Sequence, residues 1–486
     1  MKKLGKAEKN KTTKMFNDAF ENSIKSIERI PVKIKKNQQP IIVCDTTPPP
    51  MIYPIFSTES IVYTSLSTYP FRDGKKIGNP ICDKGKGAFF EDMAIVVLAD
   101  GCGLGNNVYN AAKAAVNKIL ESIIDKIEQC KNTKEIAQLM AESTYEGHLA
   151  IINDGIESFQ IGTATIIINV IVYSNQDEPI ILTLSIGDCH SYKYSPIQMK
   201  TEQLTGSIRT SLNDVSDCGG RIGPFIDHLY PDLRNASIKL DKCNDGDIVI
   251  IATDGYHDNF DPTLLDYNPI DIGIDAVDWN EASKTQYFLE KKQIWIERLI
   301  TSIFKTSSSM CHFVEQLGDY ITETTQSSRR FVESHPGEKL PPDPHKFPGK
   351  LDHSTLLAYK VIKRIDAFEI INSIIPSYSS GLFGGQSISS AKLRASRPKK
   401  LFVKLHNRQI QTPRSDTSDP TSLYFSEKTS PHSMSPIHVL SKESLIPLNP
   451  DDKPIAIKFN SDHSINPQKS INSRDSSPKQ ERPSDY

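Results

Sequence analysis

Five apolar runs recur along the first three quarters of the chain, at 94–99, 163–173, 179–186, 247–253 and 354–362. Most are β-branched and bounded by Gly, Asp or Asn, which predicts strands. An unbroken run such as Ala94-Ile-Val-Val-Leu-Ala99 predicts a strand buried on both faces. A shorter run at Ile41-Ile-Val-Cys44 predicts one more. Between the first two long runs the period changes. Val108, Ala112, Ala115, Ile119, Leu120, Ile123, Ile124 and Ile127 recur at the three- and four-residue steps that give a helix one apolar face. A second helical segment covers roughly 134–152. Two more, around 284–305 and 309–333, precede the last strand; Trp295, Ile296, Leu299 and Ile303 form the core face of the first. Strand, two helices, several strands, two helices, strand is the order of a layered α+β domain, and the strict βα alternation of a parallel sheet is absent.

Composition then divides the 486 residues. Residues 1–50 are Lys-rich and end in Pro48-Pro49-Pro50, predicting a basic, poorly ordered N-terminal arm. Residues 51–364 hold the periodic segments, and a core of that size buries around three quarters of its unfolded surface. From 365 to 486 Ser, Pro, Lys and Asn dominate without a sustained period, predicting a disordered tail. Within it Thr412-Pro413, Ser430-Pro431, Ser435-Pro436 and Ser477-Pro478 suit proline-directed kinases. A net charge of −2 gives no argument for nucleic acid as a partner. No apolar run approaches the roughly 20 residues that span a bilayer, and the basic start lacks the apolar core of a secretory signal. Eight cysteines spread between Cys44 and Cys311 form neither a disulfide framework nor a zinc set. The expectation is a monomer in the cytoplasm or nucleus.

The candidate chemistry lies at the ends of the strands. Asp100-Gly101 closes the first run and Asp254-Gly255 the fourth, while Asp352 precedes the fifth. An Asp just past a buried strand sits at its edge, and the Gly lets the backbone turn closely there. Asp-Gly pairs often make turns and nothing more, but three carboxylates behind buried strands can converge on one hard cation, Mg²⁺ or Mn²⁺.

At these residues the chain resembles the metal-dependent Ser/Thr protein phosphatases of type 2C, and in particular their divergent PP2C-like domains. The likeness rests on Gly78-Asn-Pro-Ile-Cys-Asp83 followed by LADGCGLG at 98–105, on IATDGYHDNFDP at 251–262, and on TTQSSRRF at 324–331 with FPGKLDHSTLLAYKV at 347–361. Gly162-Thr-Ala-Thr165 and Ser185-Ile-Gly-Asp188 match further family positions. The resemblance implies a four-layer αββα sandwich of two antiparallel sheets flanked by helix pairs. It implies catalytic Asp100, Asp254 and Asp352, and a metal set of Asp83, Asp100, Gly101, Asp188, Asp254, Asp258 and Asp352. Asp100 would bridge two ions, Gly101 would give its carbonyl, and Asp188 and Asp258 would belong to a third, weaker site. It further implies hydrolysis of phosphoserine or phosphothreonine in protein substrates through a metal-bridged water.

Three departures from the family pattern bear on that chemistry. The acidic residue expected before Asp83 is Cys82, a soft donor that weakens the second of two metal sites; Glu91 and Asp92 are the nearest acidic alternatives. The phosphate-binding Arg expected a few residues upstream is Gly78, with Lys75 and Lys76 as substitutes that lack a bidentate fork. The final Asp-Asn is Asp352-His353, where His353 serves as an acid or fills the Asn's structural place. A thiol-phosphatase mechanism at Cys102 or Cys189 fails because neither has an Arg five or six residues on. The other reading is a pseudophosphatase scaffold that keeps the fold and binds partners without turnover.

Overall fold

Two six-stranded antiparallel sheets form the centre of the computed structural model. It describes residues 5–46, 56–57, 60–152, 161–206 and 217–362. All of these fall in one of two units of the chain, Met1–Arg408; the other, Gln409–Tyr486, contains none of them. The first sheet runs in the order Ile42–Asp45, Lys84–Phe89, Ala94–Ala99, Ile166–Tyr173, Pro179–Ile186, Ser237–Lys242. The second runs Lys200–Gln203, His190–Ser195, Ile248–Ala252, His353–Lys360, Ile61–Ser67, Phe56–Ser57.

Alternation along one strand explains both interfaces. Ile95, Val97 and Ala99 point to a core shared with the helices Asn106–Lys126 and Thr133–Ile152, alongside Ala112, Ile119 and Met140. Ala94, Val96 and Leu98 point the other way and pack with Val249, Ile251, Leu357 and Tyr359 of the second sheet. Side chains of a strand alternate faces, so a strand covered on both sides must be apolar at every position. On the outer face of the second sheet, the Phe304 ring stacks on Tyr194 at 3.9 Å and Thr301 hydrogen-bonds Thr201 at 2.8 Å. These contacts seat the Phe288–Thr306 helix, beside which runs Met310–Thr324. The four layers are therefore helices, sheet, sheet, helices, as expected.

Two expectations need correction. The arm over 1–50 is not poorly ordered throughout: Lys6–Ser26 is a helix. Thr12, Phe16 and Phe20, four residues apart, are buried along one face, and Phe16 meets Tyr145 of the Thr133–Ile152 helix edge-on at 5.6 Å. The Lys-rich remainder of that helix masks its three-residue apolar stripe in the composition. The helix expected over 309–333 is two, Met310–Thr324 and Gln326–Ser334. At the break, the buried Thr325 hydroxyl bonds the Ile321 carbonyl, a back-bond that bends helices. The expected tail over 365–486 and its Ser/Thr-Pro sites lie outside the described residues. Among the described residues no helix is long and apolar enough to cross a membrane.

Candidate metal centre

Strand register brings the acidic residues to one end of the sandwich. In the first sheet Lys84 pairs with Ala99, so the next residues outward, Asp83 and Asp100, leave the sheet side by side. In the second, His190 pairs with Ala252 and Ala252 with Leu356. Asp188, Asp254 and Asp352 follow or precede those pairs by two to four residues. The two edges are tied directly, since the Thr253 hydroxyl donates to Asp83 Oδ2 at 2.8 Å.

The turns that carry these carboxylates need glycine. A Cβ on Gly255 would lie 1.9 Å from the His353 carbonyl oxygen, because the Asp254–His257 helical turn rests on the start of the last strand. A Cβ on Gly101 would lie 2.5 Å from Val108 and 3.0 Å from the Cys82 carbonyl. Each Asp-Gly pair is thus a close approach as well as a turn.

Oxygens of Asp100, Asp188 and Asp254 all lie within 4.8 Å of one another, close enough for one divalent ion to reach all three. Asp258, four residues after Asp254, faces Asp254 and Asp352 instead, and the Lys350 ammonium lies among the three. The structure therefore divides the expected set: Asp188 joins Asp100, whereas Asp258 joins Asp352, and Asp254 belongs to both groups.

Crowding perturbs these acids strongly. Burial, followed by the charge of Asp352, pushes the Asp83 carboxyl up to about 7, with the Thr253 hydroxyl opposing. Burial and the Asp254 charge push Asp352 up to about 6, against the pull of Lys350. Asp100 is raised well above the carboxylate range by burial, then by Asp254, Asp83 and Asp352. Like charges that lose hydration together favour a cation among them. The fit is good in a second respect: Oδ1 of Asp83 is buried and accepts no hydrogen bond of ordinary geometry from the described residues. Oxygen-only donors of this kind suit Mg²⁺ or Mn²⁺.

The departures from the family pattern also find their places. Cys82 is fully buried, its Sγ directed at the carbonyls of Pro80 and Gly105 at 3.5 and 3.7 Å. Burial pushes that thiol up to about 11, so it stays protonated, and a thiol ligates as the thiolate. Glu91 and Asp92 sit in the hairpin at the opposite end of the Ala94–Ala99 strand, paired with Lys35, and cannot replace the missing acid. The backbone N–H of Cys82 donates to His353 Nδ1 at 3.2 Å, and the ring meets Tyr69 edge-on. Burial lowers His353 to about 4. Neutral and accepting at Nδ1 from the backbone, the imidazole makes the kind of contact that an Asn in its place would make. Of the two substitute cations, Lys75 is exposed at the tip of the Phe71–Lys76 hairpin and Lys76 is half-buried. Burial and the charge of Arg329 lower Lys76, which also acts electrostatically on His353. The Lys76 ammonium lies over the Phe71 ring, 4.9 Å from its centroid, with Arg329 and Glu333 as the charges that act on it.

Sequence reasoning missed Lys350 and the support given by Thr253 and Tyr69; the Tyr69 hydroxyl donates to Asp352 Oδ1 at 3.2 Å. The signal for Lys350 was its place two residues before Asp352, since alternate residues of an extended segment share a face.

No family model matches the chain. Over 196 residues it is 29% identical to the PP2C-like domain-containing protein CG9801 of Drosophila melanogaster, a match covering 39% of this chain and 27% of that relative. The chain thus spans about a quarter of the relative's length. Among solved structures, the photosystem II phosphatase PBCP is 13% identical, with 63% of this chain and 99% of that one covered at a TM-score of 0.38. The PPM Ser-Thr phosphatase MsPP of Mycobacterium smegmatis, in complex with cacodylate, is 13% identical, with 63% and 100% covered at 0.35. The ordered motifs, the helix-flanked double sheet and the sequence relative point to the PP2C-like Ser/Thr phosphatase family.

Proposed function

We propose that the chain is a metal-dependent protein phosphatase acting on phosphoserine and phosphothreonine. The observation that supports this reading most is the Asp100, Asp188 and Asp254 cluster, with its oxygens within 4.8 Å of each other at one end of a double sheet. Those three carboxylates would hold the cation, with Asp83 and the Gly101 carbonyl beside them and Asp258 and Asp352 on the adjoining side. A divalent ion there would polarise phosphoryl oxygens and make water a nucleophile at neutral pH.

The protein's own residues then have separable tasks. Thr253 fixes Asp83, and Tyr69 together with the His353 backbone N–H fixes Asp352. The half-buried Lys76 offers the positive charge that attracts the phosphate. Neither cysteine weighed as a nucleophile serves as one, since burial holds the Cys189 thiol protonated and the hydrogen bond with Cys218, then burial, raises Cys102. The chemistry is assigned to residues 51–364, with 365–486 as an appended tail and phosphorylated proteins of the cytoplasm or nucleus as substrates.

The protonated Cys82 thiol in place of an acidic ligand favours a second reading, a scaffold that binds phosphorylated partners without turnover. Phosphate release from matched phosphoserine, phosphothreonine and phosphotyrosine peptides separates the two. The enzyme reading expects Mn²⁺-dependent release from the first two and at least tenfold less from the third. Binding of the peptides without release would establish the scaffold.

A further inference from the structure

Lys350 is held in the acidic end by construction. Its Nζ lies 2.5 Å from Asp254 Oδ2, 2.9 Å from Asp352 Oδ2 and 3.1 Å from Asp258 Oδ2. All three carboxylates are largely buried, and Lys350 itself keeps only 23% of its side-chain exposure. The backbone on which it sits is clamped from the turn that carries two of its partners. Asn259 Oδ1 accepts from the Lys350 N–H at 2.9 Å, and Asn259 Nδ2 donates to the Lys350 carbonyl at 3.0 Å. The same Nδ2 also donates to the Gly255 carbonyl at 2.7 Å. Gly349 makes this clamp possible: its φ is +78°, and a Cβ there would lie 2.3 Å from Asn259 Oδ1. A lysine merely straying from the surface toward negative charge would need no such arrangement.

We infer that the Lys350 ammonium is a tethered counter-ion that occupies the cation position between Asp254, Asp258 and Asp352, so that this acidic end takes a single divalent ion, at Asp100, Asp188 and Asp254. This rests on the metal-dependent reading above. An ammonium has three N–H donors; Lys350 donates to Asp254 and Asp258 and pairs with Asp352 beside them, so its charge is turned toward the protein's own carboxylates. Lys350 is therefore a positioning residue. It offsets part of the negative charge of Asp254, Asp258 and Asp352 and holds them in place, and a second metal ion on the same oxygens would have to share them with a fixed positive charge.

The test counts bound metal and does not depend on turnover. Full-length protein and Lys350→Met are equilibrated with millimolar Mn²⁺, bound manganese is measured, and electron paramagnetic resonance reports whether two bound ions are coupled through a shared carboxylate. The expected result is one equivalent and an isolated-ion spectrum for the native chain, and two equivalents with a coupled spectrum for Lys350→Met. Lys350→Gln, neutral but polar, should behave like Lys350→Met and serves if the methionine variant fails to fold. Equal stoichiometry in native and variant protein overturns the inference. If both bind one or both bind two, the metal centre survives and only the role of Lys350 falls. If neither binds, the metal-dependent reading falls with it.

Discussion

Buried titratable side chains away from the acidic end report on the fold without interference from metal. His148 is fully buried, accepts the Gly223 N–H at Nδ1 at 3.0 Å, and packs against Phe16. Burial alone lowers it to about 3. The unfolded chain therefore binds a proton at His148 below about pH 6.5 that the folded chain refuses down to about pH 3. Stability rises with pH where the unfolded state holds more protons, so this residue's contribution is complete above about pH 6.5 and is lost as the pH falls. Between pH 6.5 and 5 the loss is about 2 kcal/mol, at about 1.4 kcal/mol per unit. Urea unfolding of native protein and His148→Gln at pH 7 and pH 5 should show the stability gap between them shrinking by about that amount. Parallel curves would mean that His148 is accessible to solvent protons. Sequence alone does not reveal this residue. A lone histidine on a helix carries no sign of its burial, whereas Asp100, Asp254 and Asp352 were legible because each adjoins an apolar run with a fixed geometric meaning.

At the level of elements, the N-terminal helix best separates what the sequence says from what packing adds. The central strands were legible in detail: the runs at 94–99 and 179–186 coincide with the strands Ala94–Ala99 and Pro179–Ile186. Being apolar on both faces, they leave little ambiguity of period. Edge and outer strands such as Lys84–Phe89 and Ser237–Lys242 read as mixed polar segments, because Gly or Lys at alternate positions hides them. The Lys6–Ser26 helix was hidden in the same way, by charge around three buried residues. Its docking gives a prediction. Phe20 is fully buried, and Phe20→Ala should lower stability by about 3–5 kcal/mol, the cost of truncating a core aromatic. The denaturant midpoint should fall while its slope is preserved. No change in midpoint would return this segment to the poorly ordered arm that its composition suggests.

At the scale of the two sheets, which pack face to face, strand ends of both come together at one end of the sandwich, and carboxylates are concentrated there. Neither sheet builds the site alone: Asp83 and Asp100 come from the first, and Asp188, Asp254 and Asp352 from the second. The sequence shows each carboxylate beside its strand. Which of them face each other depends on how the two sheets are stacked, a relation between segments far apart in the sequence, such as Asp100 and Asp254. That is why Asp188 and Asp258 were expected together and lie in different groups, and why Lys350 was read as part of a motif and not as a cation among acids. The central claim is that this end of the sandwich holds a divalent ion and hydrolyses phosphate monoesters with it. Hydrolysis of p-nitrophenyl phosphate by the full-length chain, titrated with Mn²⁺ beside a folded Asp254→Asn control, tests it most directly. The account predicts saturable, Mn²⁺-dependent release that falls on the order of 10²-fold or more in the control, the scale on which loss of one preorganised charged group is felt. Native protein that releases no more nitrophenol with Mn²⁺ than Asp254→Asn does would contradict it.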